Sequence, residues 1–392
     1  MYLLRIQGNM LEGLTSPKKR GGLYIHIPFC HSKCFYCDFY SRPCKCTEED
    51  FDGYAEALIH EYNLRREDYD NDGRWETVYI GGGTPSILPV KHLRRIVEGL
   101  HLRERPVEFT IEANPEDVSI PWIREIQNLG INRISMGIQS FRDSELRSIG
   151  RIHSSARAVE AIEALTEAGI DYSLDLIYGL PGQSLHDWES NLTKLLSFGP
   201  SHFSAYLLSY EPGTRLYYKL QKGEVDEATE ETATEMYEIL CHTAAENGYE
   251  HYEISNFANP GKRAIHNSNY WKNLPYLGLG ASAHSYDGKH RGYNPPDVKN
   301  YISALKTGKI PFQEEKESET ERLNDLLIIS FRTADGLDLR RLDEYNERNR
   351  IMEKISSLTK SGMLSINAKG NIIIPENEWL RSDSILRDLI IA

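Results

Sequence analysis

The chain has 392 residues, 40% of them hydrophobic and 26% charged, and carries a formal net charge of −13. That length gives room for two domains with a buried core, and the acidic balance argues against a nucleic-acid backbone as the main partner, since phosphate binding needs a basic face. No run of 18 apolar residues is present to span a bilayer, which leaves room only for peripheral membrane contact. Six cysteines, three of them within eight positions, do not read as a disulfide framework, and reduced thiols point to the cytoplasm.

Residues 1–21 read as a short leader whose basic run, Lys18-Lys19-Arg20, comes late, the reverse of a secretory signal. Over residues 22–212, short apolar or β-branched runs alternate with amphipathic ones, the signature of βα units around a parallel sheet. Six strands are predicted, centred on Leu23–Ile27, Thr77–Ile80, Val107–Glu112, Asn132–Ile138, Tyr172–Ile177 and His202–Leu207. Helical periodicity fills Lys91–Leu100 and Ala156–Ala168, with Gly169 as a C-terminal cap. The strand pattern fades after about residue 210, which favours a partial (βα)6 barrel over a closed eight-stranded one. Residues 213–300 read as an extension and 301–392 as a small, mainly helical domain. In the latter, helical stretches at Glu319–Thr333, Leu337–Asn346 and Ile351–Ser361 precede a predicted hairpin at Met363–Ile374, a winged-helix-like order. Its mixed charges lack a basic face, so a covering or protein-contact role is expected rather than DNA binding.

The chemistry centres on Cys30-x3-Cys34-x2-Cys37. Thiolates are soft ligands that select iron–sulfur clusters, zinc or copper(I), and a cubane [4Fe–4S] cluster normally takes four. With three, one iron is left open to a small molecule. A zinc knuckle is the alternative, with His26 or His31 as fourth ligand, although no second C-x2-C pair exists. Cys44-Lys-Cys46 is a poor zinc pair and leaves open a further redox or metal role; Cys241, in an amphipathic helical stretch, reads as a buried structural thiol.

Each predicted strand is followed by a distinctive loop, and in parallel αβ barrels sites are built at the carboxyl ends of the strands. Gly82, Gly83 and Thr84 can bring backbone amides and a hydroxyl close to a ligand, unless the loop is plain turn chemistry. Glu112 ends the third strand and suits a cationic ligand. Gln139, Arg151 and Asp175 occupy comparable positions, Arg suiting a carboxylate and Asp a diol; ordinary surface or interstrand contacts are the alternative for each. Tyr24 and Tyr36 flank the cysteines and suit either an adenine contact or the core.

Four stretches, Tyr24-Ile-His-Ile-Pro-Phe-Cys30, Gly81-Gly-Gly-Thr-Pro-Ser86, Asn132-Arg-Ile-Ser-Met-Gly-Ile-Gln-Ser-Phe141 and Asp175-Leu-Ile-Tyr-Gly-Leu-Pro-Gly-Gln183, together resemble the oxygen-independent coproporphyrinogen III oxidase family of radical S-adenosylmethionine (SAM) proteins, over about residues 22–290. The resemblance implies a partial barrel with a [4Fe–4S] cluster on Cys30, Cys34 and Cys37. It implies SAM on the open iron, its amino group met by Gly82, Gly83 and Thr84, with Glu112, Gln139, Arg151 and Asp175 around it.

That family divides into oxidases and haem chaperones. The oxidases carry a fourth cysteine two places after the third, where this chain has Phe39, and a longer segment before the cluster. His266-Asn267-Ser-Asn-Tyr270-Trp271 is similar to a chaperone motif. A neutral imidazole can ligate haem iron, and Tyr and Trp offer flat walls to a porphyrin. His266 is therefore the expected axial ligand and His284 the reserve; the bland alternative is a loop histidine beside core aromatics. The expected function is a haem-binding chaperone for haem-accepting apoproteins, with room for a homodimer. The rivals are oxidative decarboxylation of coproporphyrinogen III and a radical SAM enzyme with another substrate.

Overall fold

The computed structural model describes residues 21–69 and 73–391, so the expected leader lies outside the described residues apart from Gly21. All six predicted strands form. β1 (Gly22–Ile27) leads through a short pair, β2 (Phe29–Cys30) and β3 (Arg42–Pro43), to α1 (Glu48–Arg65). Strand and helix then alternate: β4 (Thr77–Gly82), α2 (Val90–Gly99), β5 (Glu108–Ala113), α3 (Ile120–Asn128), β6 (Arg133–Gln139), α4 (Asp143–Ser148), α5 (Ser155–Ala168), β7 (Asp171–Tyr178), α6 (Leu185–Ser197) and β8 (His202–Leu207). Gly169 closes α5 with φ 64°, the left-handed conformation for which glycine was expected there. Capping boxes at Thr47/Asp50 and Ser184/Asp187 start α1 and α6 by satisfying their first free amides.

The alternation along these strands decides what the barrel encloses. Leu23, Ile25, Ile80, Ile111, Ile134 and Leu174 are fully buried in the main apolar core. The alternate residues, among them Tyr24, Tyr79, Glu112, Ser135 and Asp175, face the lumen, which is therefore polar.

The sheet is larger than the sequence pattern indicates. After α7 (Arg215–Gln221) and α8 (Glu230–Glu246) come β9 (Glu250–Glu253), β10 (Asn256–Ala258), α9 (Ile265–Trp271), β11 (Tyr276–Leu279), β12 (His284–Tyr286), β13 (Arg291–Tyr293), α10 (Val298–Lys306) and β14 (Gln313–Glu315). They complete a 12-stranded sheet in the order β14-β13-β12-β11-β1-β4-β5-β6-β7-β8-β10-β9. β11 runs parallel to β1, while β12 to β14 extend one edge antiparallel and β10 and β9 the other. Each of these strands has only three or four residues, too few for a period of two to stand out.

The C-terminal region holds α11 (Glu319–Phe331), α12 (Arg348–Lys360), the small hairpin β15 (Ser365–Ile366) and β16 (Ile372–Ile373), and α13 (Ser382–Leu389), with a 3-10 turn at Glu376–Arg381. Its helices and hairpin fall where the periodicity placed them, except that regular 3-10 structure within 337–346 is confined to Leu339–Leu342.

One buried carboxylate stitches α1 to the late strands. Glu61 is fully buried and accepts from Arg65 Nη1 at 2.7 Å, the Gly280 amide at 2.9 Å, Asn294 Nδ2 at 2.8 Å and Tyr301 Oη at 2.6 Å. Arg65 in turn donates to the Gly278 carbonyl and to Ser285 Oγ. Removing one partner of such a pair leaves a charge stranded, so Glu61→Ala should cost about 3–5 kcal/mol in urea unfolding. Glu61→Gln, which keeps two acceptor lone pairs but removes the charge, should still destabilise because Arg65 loses its counter-ion.

Candidate functional site

The cysteine loop is closed by its own backbone. β2 pairs with β3, setting Cys30 beside Pro43, and Cys44 N–H donates to the Cys30 carbonyl at 2.9 Å. Cys30, Cys34 and Cys37 are free thiols, and Cys44 and Cys46 lie side by side with their Cα atoms 4.9 Å apart. The glycine loop after β4 lies directly against them. Gly83 N–H donates to the Ile27 carbonyl at 2.8 Å and Thr84 N–H to that of Phe29 at 2.7 Å. A Cβ at position 83 would stand 2.7 Å from the Phe29 carbonyl oxygen and 2.9 Å from Cys30 Sγ, so only glycine fits.

Polar groups are aimed at the sulfurs: Thr84 Oγ1 donates to Cys30 Sγ at 3.5 Å and Arg151 Nη1 to Cys34 Sγ at 3.6 Å, while Ser41 Oγ lies 4.0 Å from Cys37 Sγ. Burial pushes the Cys30 and Cys37 thiols up, so their thiolates need positive charge beside them, which a metal centre supplies. Three unpaired thiols with donors turned toward the sulfur atoms fit an iron–sulfur cluster.

The remaining rim residues stand on neighbouring strands. Glu112 accepts from Tyr79 Oη at 2.9 Å and from the Gly82 amide at 3.0 Å, and burial raises its pKa to about 7. Asp175 accepts from Ser204 Oγ at 2.9 Å and Ser135 Oγ at 3.2 Å, and burial raises its pKa too. Arg151 donates to Asn114 Oδ1 and to the Gly137 carbonyl, each at 2.7 Å. Gln139 has φ 67° at an irregularity in the β6–β7 register, and its amide covers Gly137.

Three residues that sequence reasoning did not single out complete this network: Asn114, which also donates to Thr84 Oγ1, and the serines that hold Asp175. Asn114 lies in a loop already marked by its place after a strand; the serines carried no signal beyond alternation. The two tyrosines part company. Tyr24 lies in the lumen, stacked on Tyr79 at 6.2 Å, whereas the Tyr36 ring packs against an apolar cluster around Ile149, Ile177 and Leu216 while its hydroxyl stays beside Cys34 and Arg151.

A cavity of about 510 Å³ opens beside the rim, within the size range of cofactor pockets. Tyr24, His26, Gly82 and Glu112 line one side, Phe39 and Tyr40 of the cysteine loop another, and Tyr270, Trp271 and His284 the far side. Phe39 is 68% exposed, an apolar ring held open to solvent where a fourth cysteine was absent from the motif. His26 is neutral, its pKa lowered to about 4 by burial.

The motif helix α9 enters at the amino-terminal end of the strands. Glu108 at the start of β5 accepts from the Ile265 and His266 amides at 2.7 and 3.0 Å, supplying the cap that Ala264 cannot. His266 does not face the cavity, contrary to expectation. It is 1% exposed, with Nδ1 2.8 Å from Thr77 Oγ1, Nε2 2.8 Å from Tyr270 Oη and its ring stacked 5.1 Å from Tyr79. Both nitrogens are engaged inside the lumen, and burial lowers its pKa to about 3. His284, the reserve, is exposed on the cavity wall beside Tyr293.

Fold and thiol loop together define a radical SAM protein, and residues 24–195 match the Radical SAM superfamily model. The fold is shared with Escherichia coli HemN, a coproporphyrinogen III oxidase and radical SAM enzyme, at a TM-score of 0.79 and 20% identity over 95% of this chain and 91% of that one. The heme chaperone HemW of Bacillus subtilis is 36% identical over 333 residues, 83% of this chain and 87% of its own. That of Escherichia coli is 37% identical over 272 residues, 67% and 69% of the two chains. The chain belongs to the HemW family of the radical SAM superfamily. Among the described residues, no helix is long and apolar enough to cross a membrane.

The raised pKa of Glu112 gives a signed test. Its stability contribution is full below the ordinary carboxyl range and is lost as pH rises through about 7, because the ionised group is then held in a buried place. Glu112→Gln should therefore raise stability at pH 8 relative to pH 6, by about 1–3 kcal/mol in paired urea titrations. An equal effect at both pH values would place the Glu112 titration elsewhere.

Proposed function

We propose that this chain binds haem in the cavity between the cysteine loop and α9 and passes it to haem-accepting apoproteins, while Cys30, Cys34 and Cys37 hold a [4Fe–4S] cluster and the adjoining rim holds SAM. The observation that carries this reading is the cavity itself. Flat aromatic walls, Tyr270 and Trp271 on one side and Phe39 on another, share the cavity lining with an exposed imidazole, His284. When bound, the cluster and SAM supply one-electron chemistry.

The chain's own residues would then bind and orient. Gly82 and Gly83 allow close backbone approach to the amino end of SAM, and buried Glu112 offers the negative charge an ammonium requires; among the described residues it makes no ion pair. Arg151 suits the carboxylate and Asp175 the ribose hydroxyls. Gln139 is held over Gly137 between them. His284 is the proposed axial ligand to haem in place of His266, whose nitrogens support α9. A second cavity, of about 440 Å³, shares Asn273 with the first and is lined by Lys289, Arg322 and Arg341, cations suited to porphyrin propionates.

Anaerobically reconstituted protein should carry about four iron and four sulfide per chain, and Cys34→Ser should lose them. Full cluster retention in that variant would remove the cluster assignment. Haem titration should saturate near one equivalent. His284→Ala should shift the Soret band and weaken binding at least about tenfold, the scale of one lost ligand. His266→Ala should leave the Soret position intact while lowering thermal stability. The opposite pattern would return the ligand role to His266, and porphyrinogen decarboxylation by the same sample would favour an oxidase.

A further inference from the structure

Away from the barrel rim, three metal-ligating side chains converge at the sheet edge, two of them ten residues apart and the third 125 residues further on. Cys241 of α8, His251 of the edge strand β9 and Glu376 of the C-terminal 3-10 turn bring one donor atom each within 4.8 Å of one another. His251 Nδ1 lies 3.7 Å from Cys241 Sγ and 2.9 Å from Glu376 Oε1. Its other nitrogen, Nε2, lies 3.4 Å from the Ile254 carbonyl; with the proton on Nε2 the Nδ1 lone pair is free to ligate a metal between the thiol and the carboxylate.

With no metal bound, the 2.9 Å contact is a hydrogen bond from Nδ1–H to the Glu376 carboxylate; a divalent cation that displaces this proton meets all three donor atoms within one small space. The ring cannot turn aside: it is stacked 4.2 Å from Phe257 and lies edge-on to Trp379 at 4.4 Å.

The spacing selects the class of cation. Tetrahedral zinc, with bonds of about 2.3 Å to sulfur and 2.0–2.1 Å to nitrogen, separates those two ligand atoms by about 3.6 Å, close to the 3.7 Å found here, while the exposed Glu376 carboxylate, 2.9 Å from Nδ1, has to draw back to about 3.4 Å to take its place as a ligand. The backbone carbonyl on Nε2 is the usual outer partner of a ligating histidine. Glu376 is 58% exposed, so the fourth position opens to water. We propose that Cys241, His251 and Glu376 form a zinc-type divalent metal site that clamps the C-terminal segment onto the β9 edge of the sheet. On binding, the Cys241 S–H bond is replaced by an S–metal bond and the proton passes to solvent.

The test is equilibrium dialysis of cluster-reconstituted full-length protein against micromolar zinc chloride, with zinc and iron counted by mass spectrometry. One zinc per chain is expected, retained in a Cys44→Ser/Cys46→Ser variant, lost in Cys241→Ser and bound at least about tenfold more weakly in Glu376→Gln, a surface change that spares the fold. Iron content should not change in any of them. Zinc should also raise the melting temperature of the wild type but not of Cys241→Ser. No zinc in the wild type, or zinc unchanged in both Cys241→Ser and Glu376→Gln, would overturn the proposal.

Discussion

The lumen of this barrel is polar, and the polar groups on its strands must find partners there. Strand alternation sends Leu and Ile outward to the helices and Thr77, Glu108, Glu112, Ser135 and Asp175 inward. At the amino-terminal end the debt is met by α9, whose amides take Glu108 and whose His266 takes Thr77. In the middle Asp175 is held by two serines and Glu112 by Tyr79 and Gly82. Among the described residues, Thr110 Oγ1 on β5 has no hydrogen-bond partner. The position of the motif helix is thus fixed by hydrogen bonding inside the barrel, and its aromatics, Tyr270 and Trp271, become part of the cavity wall as a consequence.

The same constraint shapes the rim. Gly83 permits the glycine loop to bond to the carbonyls of Ile27 and Phe29, which places Thr84 on Cys30 and leaves Gly82 beside Glu112. Arg151 then spans from Cys34 to Asn114 and the Gly137 carbonyl. Cysteine loop, glycine loop and strand ends are one hydrogen-bonded unit. Phe39 projects from it into the space that α9 closes from the other side.

Much of this was legible from residues alone. The six parallel strands show as apolar runs because one face of each meets helices, and the three cysteines and the glycine loop announce themselves by spacing. The short strands between 250 and 315 were not legible, since three residues carry no period and their pairing is set by tertiary contact. Nor was the direction of His266: a motif gives the residue types, but which way an imidazole points depends on Thr77, nearly two hundred positions away. Cys241 and His251 stand ten residues apart without a recognisable ligand motif, and only the fold brings Glu376 to them.

The central claim is a place for haem, between the cysteine loop and α9 with iron on His284. Anomalous scattering at the iron edge from crystals of the reconstituted, haem-loaded protein measures that place directly. The account predicts two iron peaks, one at Cys30, Cys34 and Cys37 and a second within about 2 Å of a His284 ring nitrogen, between Phe39 and Trp271. A second peak outside this cavity, or one bonded to His266 with α9 displaced from the lumen, would contradict it.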